Sequence, residues 1–234
     1  MRLPPFRIST AAASAAFATL LALGSPAAAA GIELEDDTGR KLALAAPAQR
    51  IVSLAPHVTE MLFAAGAGER VVGAVDYSDY PEAAQRITRV GGYTRIDLEA
   101  VAALRPDLVI GWQSGNRDGD LARLRALGIP VYLSEPRNLE DVARNLERLG
   151  RLAGSERTAQ AAASTFRARR EHLAATYSGL DKVRVFYQIW DRPLMTVNDR
   201  HLIADVIRLC GGSNVFGSQA QLAPTIGVEA VLAA

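Results

Sequence analysis

The chain has 234 residues, enough to bury one sizeable core or two small ones, and its 26 basic residues stand against 25 acidic ones. So even a balance argues against nucleic acid or an anionic membrane surface as the main partner. A single cysteine, Cys210, excludes an internal disulfide. In chain order, the first 30 residues read as a secretory signal: Arg2 and Arg7 give a positive start, an Ala/Leu-rich run extends to Leu23, and Ala28-Ala29-Ala30 offers a cleavage site before Gly31. The run contains Ser9, Thr10, Ser14 and Thr19 and ends at Ser25-Pro26, so cleavage rather than anchoring is expected. Removing it deletes two Arg and no acid, leaving 24 basic against 25 acidic residues, or about −1. In an oxidising compartment Cys210 is either buried and inert, paired between chains, or missing its partner. Its place beside Gly211-Gly212 at the end of an apolar helix favours a buried small hydrophobe.

Ile32–Glu35 and Lys41–Leu44 alternate apolar and polar residues around Asp36-Asp37-Thr38-Gly39, the pattern of a small β-hairpin. Residues 50–54 form a short apolar strand. Pro56-His57-Val58-Thr59-Glu60 then opens a helix with its cap near His57 or Thr59 and its end at Gly66 and Gly68. A strand at 71–75 leads into the polar and aromatic loop Asp76-Tyr77-Ser78-Asp79-Tyr80-Pro81. Gly91-Gly92-Tyr93-Thr94 is a second such loop, followed by a helix at 98–104. Residues 107–112 form a buried strand ending at Trp112. A helix at 120–127, a strand at 128–133 and a helix from an Asn138 cap to Leu152 follow. Strands alternating with helices at this spacing predict an α/β fold with a parallel sheet. Ligands of such sheets bind outside the carboxyl ends of the strands, where both tyrosine loops and Trp112 fall.

Residues 155–178 read as one long unbroken helix, with Ser155 placed to accept a backbone N–H at its start and Gly179 to stop it. At 1.5 Å per residue it spans about 36 Å. Its narrow stripe of Ala159, Ala162, Ala163, Phe166, Leu173 and Tyr177 fits either a surface helix capping a sheet or a rigid strut between two lobes. Beyond it the plan restarts: 183–190 is a strand, 201–209 a helix ended by Gly211-Gly212, and 214–217 a counterpart of the strand at 71–75. Val228-Glu229-Ala230-Val231-Leu232-Ala233 then repeats Leu98-Glu99-Ala100-Val101-Ala102-Ala103. The first copy leads into a core strand whereas the second reaches Ala234, so a C-terminally incomplete second lobe is expected. The expected division is a signal peptide at 1–30, an N-terminal α/β lobe at 31–154, a connecting helix at 155–178 and a partial C-terminal α/β lobe at 179–234.

No G-x-S-x-G elbow and no Gly-rich phosphate loop with Lys-Ser/Thr follows any strand, which disfavours a secreted α/β enzyme. His57, His172 and His201 are the only imidazoles. His57 and His201 each begin a helix after the first strand of their half and could face one cleft, yet no metal centre is assigned, since too few further ligands accompany them. Tyr77, Tyr80, Tyr93, Trp112 and Trp190 all fall in loops or at strand ends. Flat side chains suit a large planar ligand better than an ion; plain lid packing is the alternative.

RIVSLAPHVTEMLFAAGAGERVVG, YSDYP, LEAVAALRPDLVIGW and LCGGSNVF closely resemble the periplasmic cobalamin-binding proteins of ABC importers, within the larger group of siderophore, haem and cobalamin receptors. The resemblance covers 49–234, and YSDYP after the second strand is its cobalamin-specific part. It implies two Rossmann-like lobes joined by one rigid backbone helix, with little hinge motion. It also implies a non-catalytic periplasmic monomer without a cofactor of its own, which holds cobalamin or a related corrinoid between the lobes and delivers it to ABC transporter membrane subunits. An Fe(III)-siderophore or haem receptor of the same fold is the alternative. Residue by residue, Tyr77 matches the tyrosine lying against the corrin ring, Tyr93 falls where a Trp often stands, and Trp112 matches an aromatic of the cleft wall. Trp190 lies one place along from the expected aromatic of the second lobe, and His57 joins these as a candidate ligand contact. Glu99 and Glu229 match the acidic pair that docks into Arg pockets on the two membrane subunits, equivalent carboxylates meeting equivalent guanidiniums. The chain departs from the pattern at Ala223, where a Trp can precede Pro224, and family members run on well past Glu229, where a partner for Cys210 could lie.

Overall fold

The computed structural model describes Met1 and residues 31–234; the expected signal peptide, Met1 apart, lies outside the described residues. The hairpin forms as β1 (Ile32–Glu35) and β2 (Lys41–Leu44), antiparallel with Ile32 opposite Leu44. Buried Asp36 closes its turn, Oδ1 accepting from the backbone N–H groups of Thr38 and Arg40 at 2.9 and 3.0 Å.

Next come β3 (Ile51–Ser53), α1 (Pro56–Ala64), β4 (Val71–Ala74), β5 (Thr88–Arg89), and the tight pair β6 (Gly91–Gly92) and β7 (Arg95–Ile96). They are followed by α2 (Leu98–Ala103), β8 (Leu108–Trp112), α3 (Asp118–Ala126), β9 (Val131–Ser134) and α4 (Leu139–Ala153). The five strands β5-β4-β3-β8-β9 form one parallel sheet in that spatial order. The chain therefore builds outward from β3 to β5, then returns to lay β8 and β9 on the other side, which makes the gap between β3 and β8 the switch point. Both faces are covered. Ile51, Leu108, Ile110 and Tyr132 pack under α1 and α4 with Val58, Leu62, Leu146 and Leu149, and Val52, Val109, Val131 and Leu133 pack under α2 and α3 with Val101, Leu121 and Leu124. Because side chains alternate along a strand, Trp112 falls on the face of Leu108 and Ile110, beneath α1.

Asn138 caps α4 as expected, its Oδ1 accepting from Asp141 N–H at 2.9 Å, and Gly154 ends the helix in the left-handed region at φ 68°. The long helix is α5 (Glu156–Tyr177). Its buried residues, Ala159 and Ala163, lie against α4, where Gly150 allows so close an approach that a Cβ there would overlap the Ala159 methyl. Arg167 pairs with Glu140 and Glu147 at 2.7 and 2.5 Å across the same junction, and Arg170 with Glu140 at 2.8 Å. The first two-thirds of α5, through Arg170, are thus bonded to the first lobe, while the last turns carry the chain into the second. That lobe contains β10 (Val183–Val185), α6 (Leu202–Leu209), β11 (Gly212–Asn214) and α7 (Val228–Ala233), with β10 and β11 parallel. It meets the first lobe where the Asp205 carboxylate of α6 accepts the Leu139 N–H at the start of α4, at 2.8 Å. The molecule is α/β, two lobes joined by one long helix. Among the described residues no helix is long and apolar enough to cross a membrane.

Five local expectations are corrected. The strand expected at 183–190 ends at Val185, because its partner β11 offers only three residues. The strand expected at 214–217 is a turn: Asn214 Oδ1 accepts from Phe216 N–H at 3.1 Å, ending β11 where the strand was to begin. Ser155 occupies the N-cap position of α5, but its hydroxyl donates to the Ala65 carbonyl at 2.7 Å instead of accepting from the helix. The cap of α1 is Ala55, with Pro56 at the first helical position; His57 and Thr59 are inside the helix. Cys210 is exposed, not buried, beside Val183, Val185, Tyr187 and Val206 in a shallow apolar groove.

Candidate functional site

The site starts at the switch point. His57 follows β3 in the first turn of α1 and Trp112 ends β8, the neighbouring strand, so the parallel pairing of β3 with β8 brings them together. Their rings meet edge to face, centroids 5.2 Å apart and planes at 85°. Tyr93, from the loop joining β6 and β7, leans on the same indole at 5.7 Å and 45°. The indole lies over Gly115, where a Cβ would overlap its six-membered ring, so this glycine fixes the side chain's direction. Buried Asn116 ties three loops into one platform. Its Oδ1 accepts from Trp112 N–H at 2.7 Å, while Nδ2 donates to the carbonyls of Leu54 and Tyr93 at 2.9 and 2.8 Å.

Tyr77 is 78% exposed and holds φ at 64°, a left-handed conformation unusual for a side chain of this size. The bonds beside it explain how the loop keeps that shape. Thr59 Oγ1 bonds the Ser53 and Ser78 hydroxyls at 2.8 and 3.2 Å, and Arg89 donates to the Ser78 carbonyl at 3.1 Å and pairs with Asp79 at 3.2 Å. Tyr77 and Tyr80 therefore project from a braced loop, yet neither touches the His57–Trp112–Tyr93 group as an aromatic pair. Trp190 is also apart from it, 62% exposed, with Nε1 donating to the Arg192 carbonyl at 3.1 Å.

Between the lobes is a cavity of about 370 Å³. Its first-lobe wall carries His57, Met61, Trp112 and Val142 with Glu60, Glu135 and Arg137; its second-lobe wall carries Arg200, His201, Leu202 and Leu222. His57 and His201 thus share one cleft, as their matched positions predicted. Burial pushes the His57 imidazole down to about 4, and its buried Nε2 has no hydrogen-bond partner. Burial lowers His201 too, against the charge of Glu135, while its Nδ1 accepts the Ile203 N–H at 3.1 Å. Both are neutral bases at pH 7. Among the described residues no group of three or more His, Cys, Asp or Glu could hold a metal ion. Glu60, Glu135, Arg137, Arg200 and Asn116 were not anticipated, since each looks like an ordinary surface polar residue in the sequence. The signal that could have found Asn116 is the Gly115-Asn116 pair just past the strand end at Trp112, residue types that favour a turn.

Glu99 lies exposed in the first turn of α2, on the rim of a polar hollow with Asp76, Arg95, Asp120 and Arg123. Glu229 holds the same place, also exposed, in the first turn of α7.

Two α/β lobes on one long helix, with an aromatic-walled cleft between them, define a binding protein of the two-lobed type. The sequence profile of the periplasmic binding protein family matches residues 51–234, and the chain belongs to that family. It is similar to the vitamin B12-binding protein of Vibrio parahaemolyticus, 40% identical over 186 residues that cover 80% of this chain and 68% of the relative. The crystal structure of the periplasmic vitamin B12 binding protein of Vibrio cholerae superposes with a TM-score of 0.75 at 39% identity, over 80% of this chain and 73% of that one. A periplasmic heme-binding protein from Roseiflexus sp. RS-1 follows the same fold, with a TM-score of 0.67 at 26% identity over 79% and 73% of the two chains.

Proposed function

We propose that this protein is the periplasmic receptor of an ABC importer, capturing cobalamin or a related corrinoid between its lobes without catalysis and passing it to the membrane subunits. The observation that carries the proposal is the braced aromatic platform at the switch point of the first lobe, open to a largely apolar cavity that the second lobe closes. A flat, uncharged macrocycle gains area on such a wall at little entropic cost, whereas a highly charged chelate would need more than the balanced pairs Glu60, Glu135, Arg137 and Arg200. The likeness to vitamin B12-binding proteins of Vibrio supports the same ligand. In this reading Tyr77, Tyr93, Trp112, Trp190 and His57 contact the ligand, and the left-handed, exposed Tyr77 is held out for it. Glu99 and Glu229 are the transporter-docking pair. Residues 1–30 are the export signal, 31–154 and 179–234 the two lobes, 155–178 the connecting helix, and the receptor acts as a monomer.

A haem receptor is the second reading, favoured by the uncommitted imidazole of His57 and the heme-binding relative. Titrating the protein with cyanocobalamin, haem and a ferric siderophore while following tryptophan fluorescence separates them. Saturable quenching by cyanocobalamin is expected; silence there with saturation by haem or the siderophore would overturn the leading reading.

A further inference from the structure

Reading the cleft as a corrinoid receptor leaves one group unused. It is a neutral imidazole whose buried nitrogen has no partner, on the wall where the ligand is to rest. Buried polar nitrogens in folded proteins are nearly always bonded, and His57 itself lines the cavity, so a ring that turns to present its unpaired nitrogen there gains a contact from the cavity's occupant. We infer that His57 supplies an axial imidazole to the cobalt of a bound Co(III) corrinoid, displacing an exchangeable axial water.

Three observations carry this. The plane of an axial imidazole contains the metal–nitrogen bond and so stands upright on the macrocycle. A macrocycle laid parallel to the Trp112 indole and offset from it would meet the His57 ring in that attitude, since the two side chains stand at 85°. The lone pair is available at neutral pH, because burial keeps the ring unprotonated. Finally, no hydrogen bond to Nε2 would have to be broken, and a half-turn about Cβ–Cγ brings this nitrogen to where a ring carbon now stands. The exchange is balanced and involves no redox change: the imidazole nitrogen donates its pair to Co(III), and one neutral water leaves with the pair that bound it. His201, on the opposite wall, has its Nδ1 engaged as the cap of α6.

The test compares aquocobalamin, whose axial water exchanges, with cyanocobalamin, whose cyanide does not. Full-length mature protein and the variants His57→Phe, which keeps an aromatic edge on Trp112, and His201→Asn, which keeps a capping acceptor, are titrated with each. Tryptophan quenching reads occupancy and the visible spectrum reads ligation, with aquocobalamin in concentrated imidazole as the reference. The wild type and His201→Asn should convert bound aquocobalamin to the imidazole spectrum and bind it about tenfold more tightly than cyanocobalamin, a gap of about 1.4 kcal/mol. His57→Phe should bind both alike with the aquo spectrum unchanged. Binding by the wild type with the water spectrum retained overturns the inference and leaves the receptor reading standing, as does a shift that survives His57→Phe. Absence of quenching by either cobalamin overturns both.

Discussion

At the scale of single residues, the site depends on groups whose worth lies in what they hold. Asn116 satisfies the Leu54 and Tyr93 carbonyls with one amide and the Trp112 N–H with its oxygen. Asn116→Asp keeps the shape but turns both donors into acceptors facing carbonyls. It should cost roughly 2–4 kcal/mol in urea unfolding, from one buried and one part-buried acceptor left unpaired, and weaken ligand quenching as Tyr93 and Trp112 lose their shared tie. An unchanged midpoint would refute that account. His57 predicts a pH dependence as well. Its folded value of about 4 is below the ordinary 6.5, so the unfolded chain takes up a proton that the folded chain refuses. Stability therefore falls as pH drops through that window and levels off below it, by on the order of 3 kcal/mol. Urea unfolding at pH 7 and at pH 4.5 should show the wild type losing more than His57→Phe; equal losses would mean that the imidazole is not held neutral.

At the scale of elements, the junction of α4 and α5 decides how firmly the lobes are joined. The close approach at Gly150 is a packing feature with no room for a larger side chain, whereas the Arg167 pairs with Glu140 and Glu147 are part-exposed and screened. Gly150→Leu should therefore destabilise by about 3 kcal/mol through overpacking, and Arg167→Ala by less than about 1 kcal/mol. Thermal unfolding of both variants checks the order, and a reversed order would make the ion pairs the main joint. The existence of α5 was legible because 155–178 contains no Pro or Gly. What it packs against was not, because Gly150 reads as an ordinary break in an amphipathic helix, and Ser155 turns its hydroxyl to Ala65, a partner far off in sequence. The strands of the first lobe were legible as buried apolar runs. Residues 183–190 have the same composition, but strand length is set by the partner, and β11 stops at the Asn214 turn. His57 and Trp112 could be placed at one crevice from strand alternation, while Glu135 and Arg200 could not, since only long-range packing of the second lobe against the first brings them to the cleft.

At the scale of the molecule, the repeat relates two exposed carboxylates, Glu99 in α2 and Glu229 in α7, each in the first turn of its helix. Neither lines the inter-lobe cavity, so in the proposed reading ligand capture and docking fall on separate surfaces. A first-turn acid also favours its own helix dipole, but that effect is small and local, on the order of 0.3–1 kcal/mol, and gives no reason for a matched pair. Two bidentate guanidinium–carboxylate contacts on a two-fold transporter do give one, and each is worth about 1.5–3 kcal/mol. Glu99→Ala and Glu229→Ala should thus each weaken association with the reconstituted transporter by about ten- to a hundredfold while leaving cyanocobalamin affinity within about twofold. Fluorescence titration measures the second quantity, and uptake into proteoliposomes carrying the membrane subunits measures the first. A large loss of ligand affinity in either variant would move that carboxylate into the binding site. Full transport by the double variant would assign both to plain helix N-terminal acids.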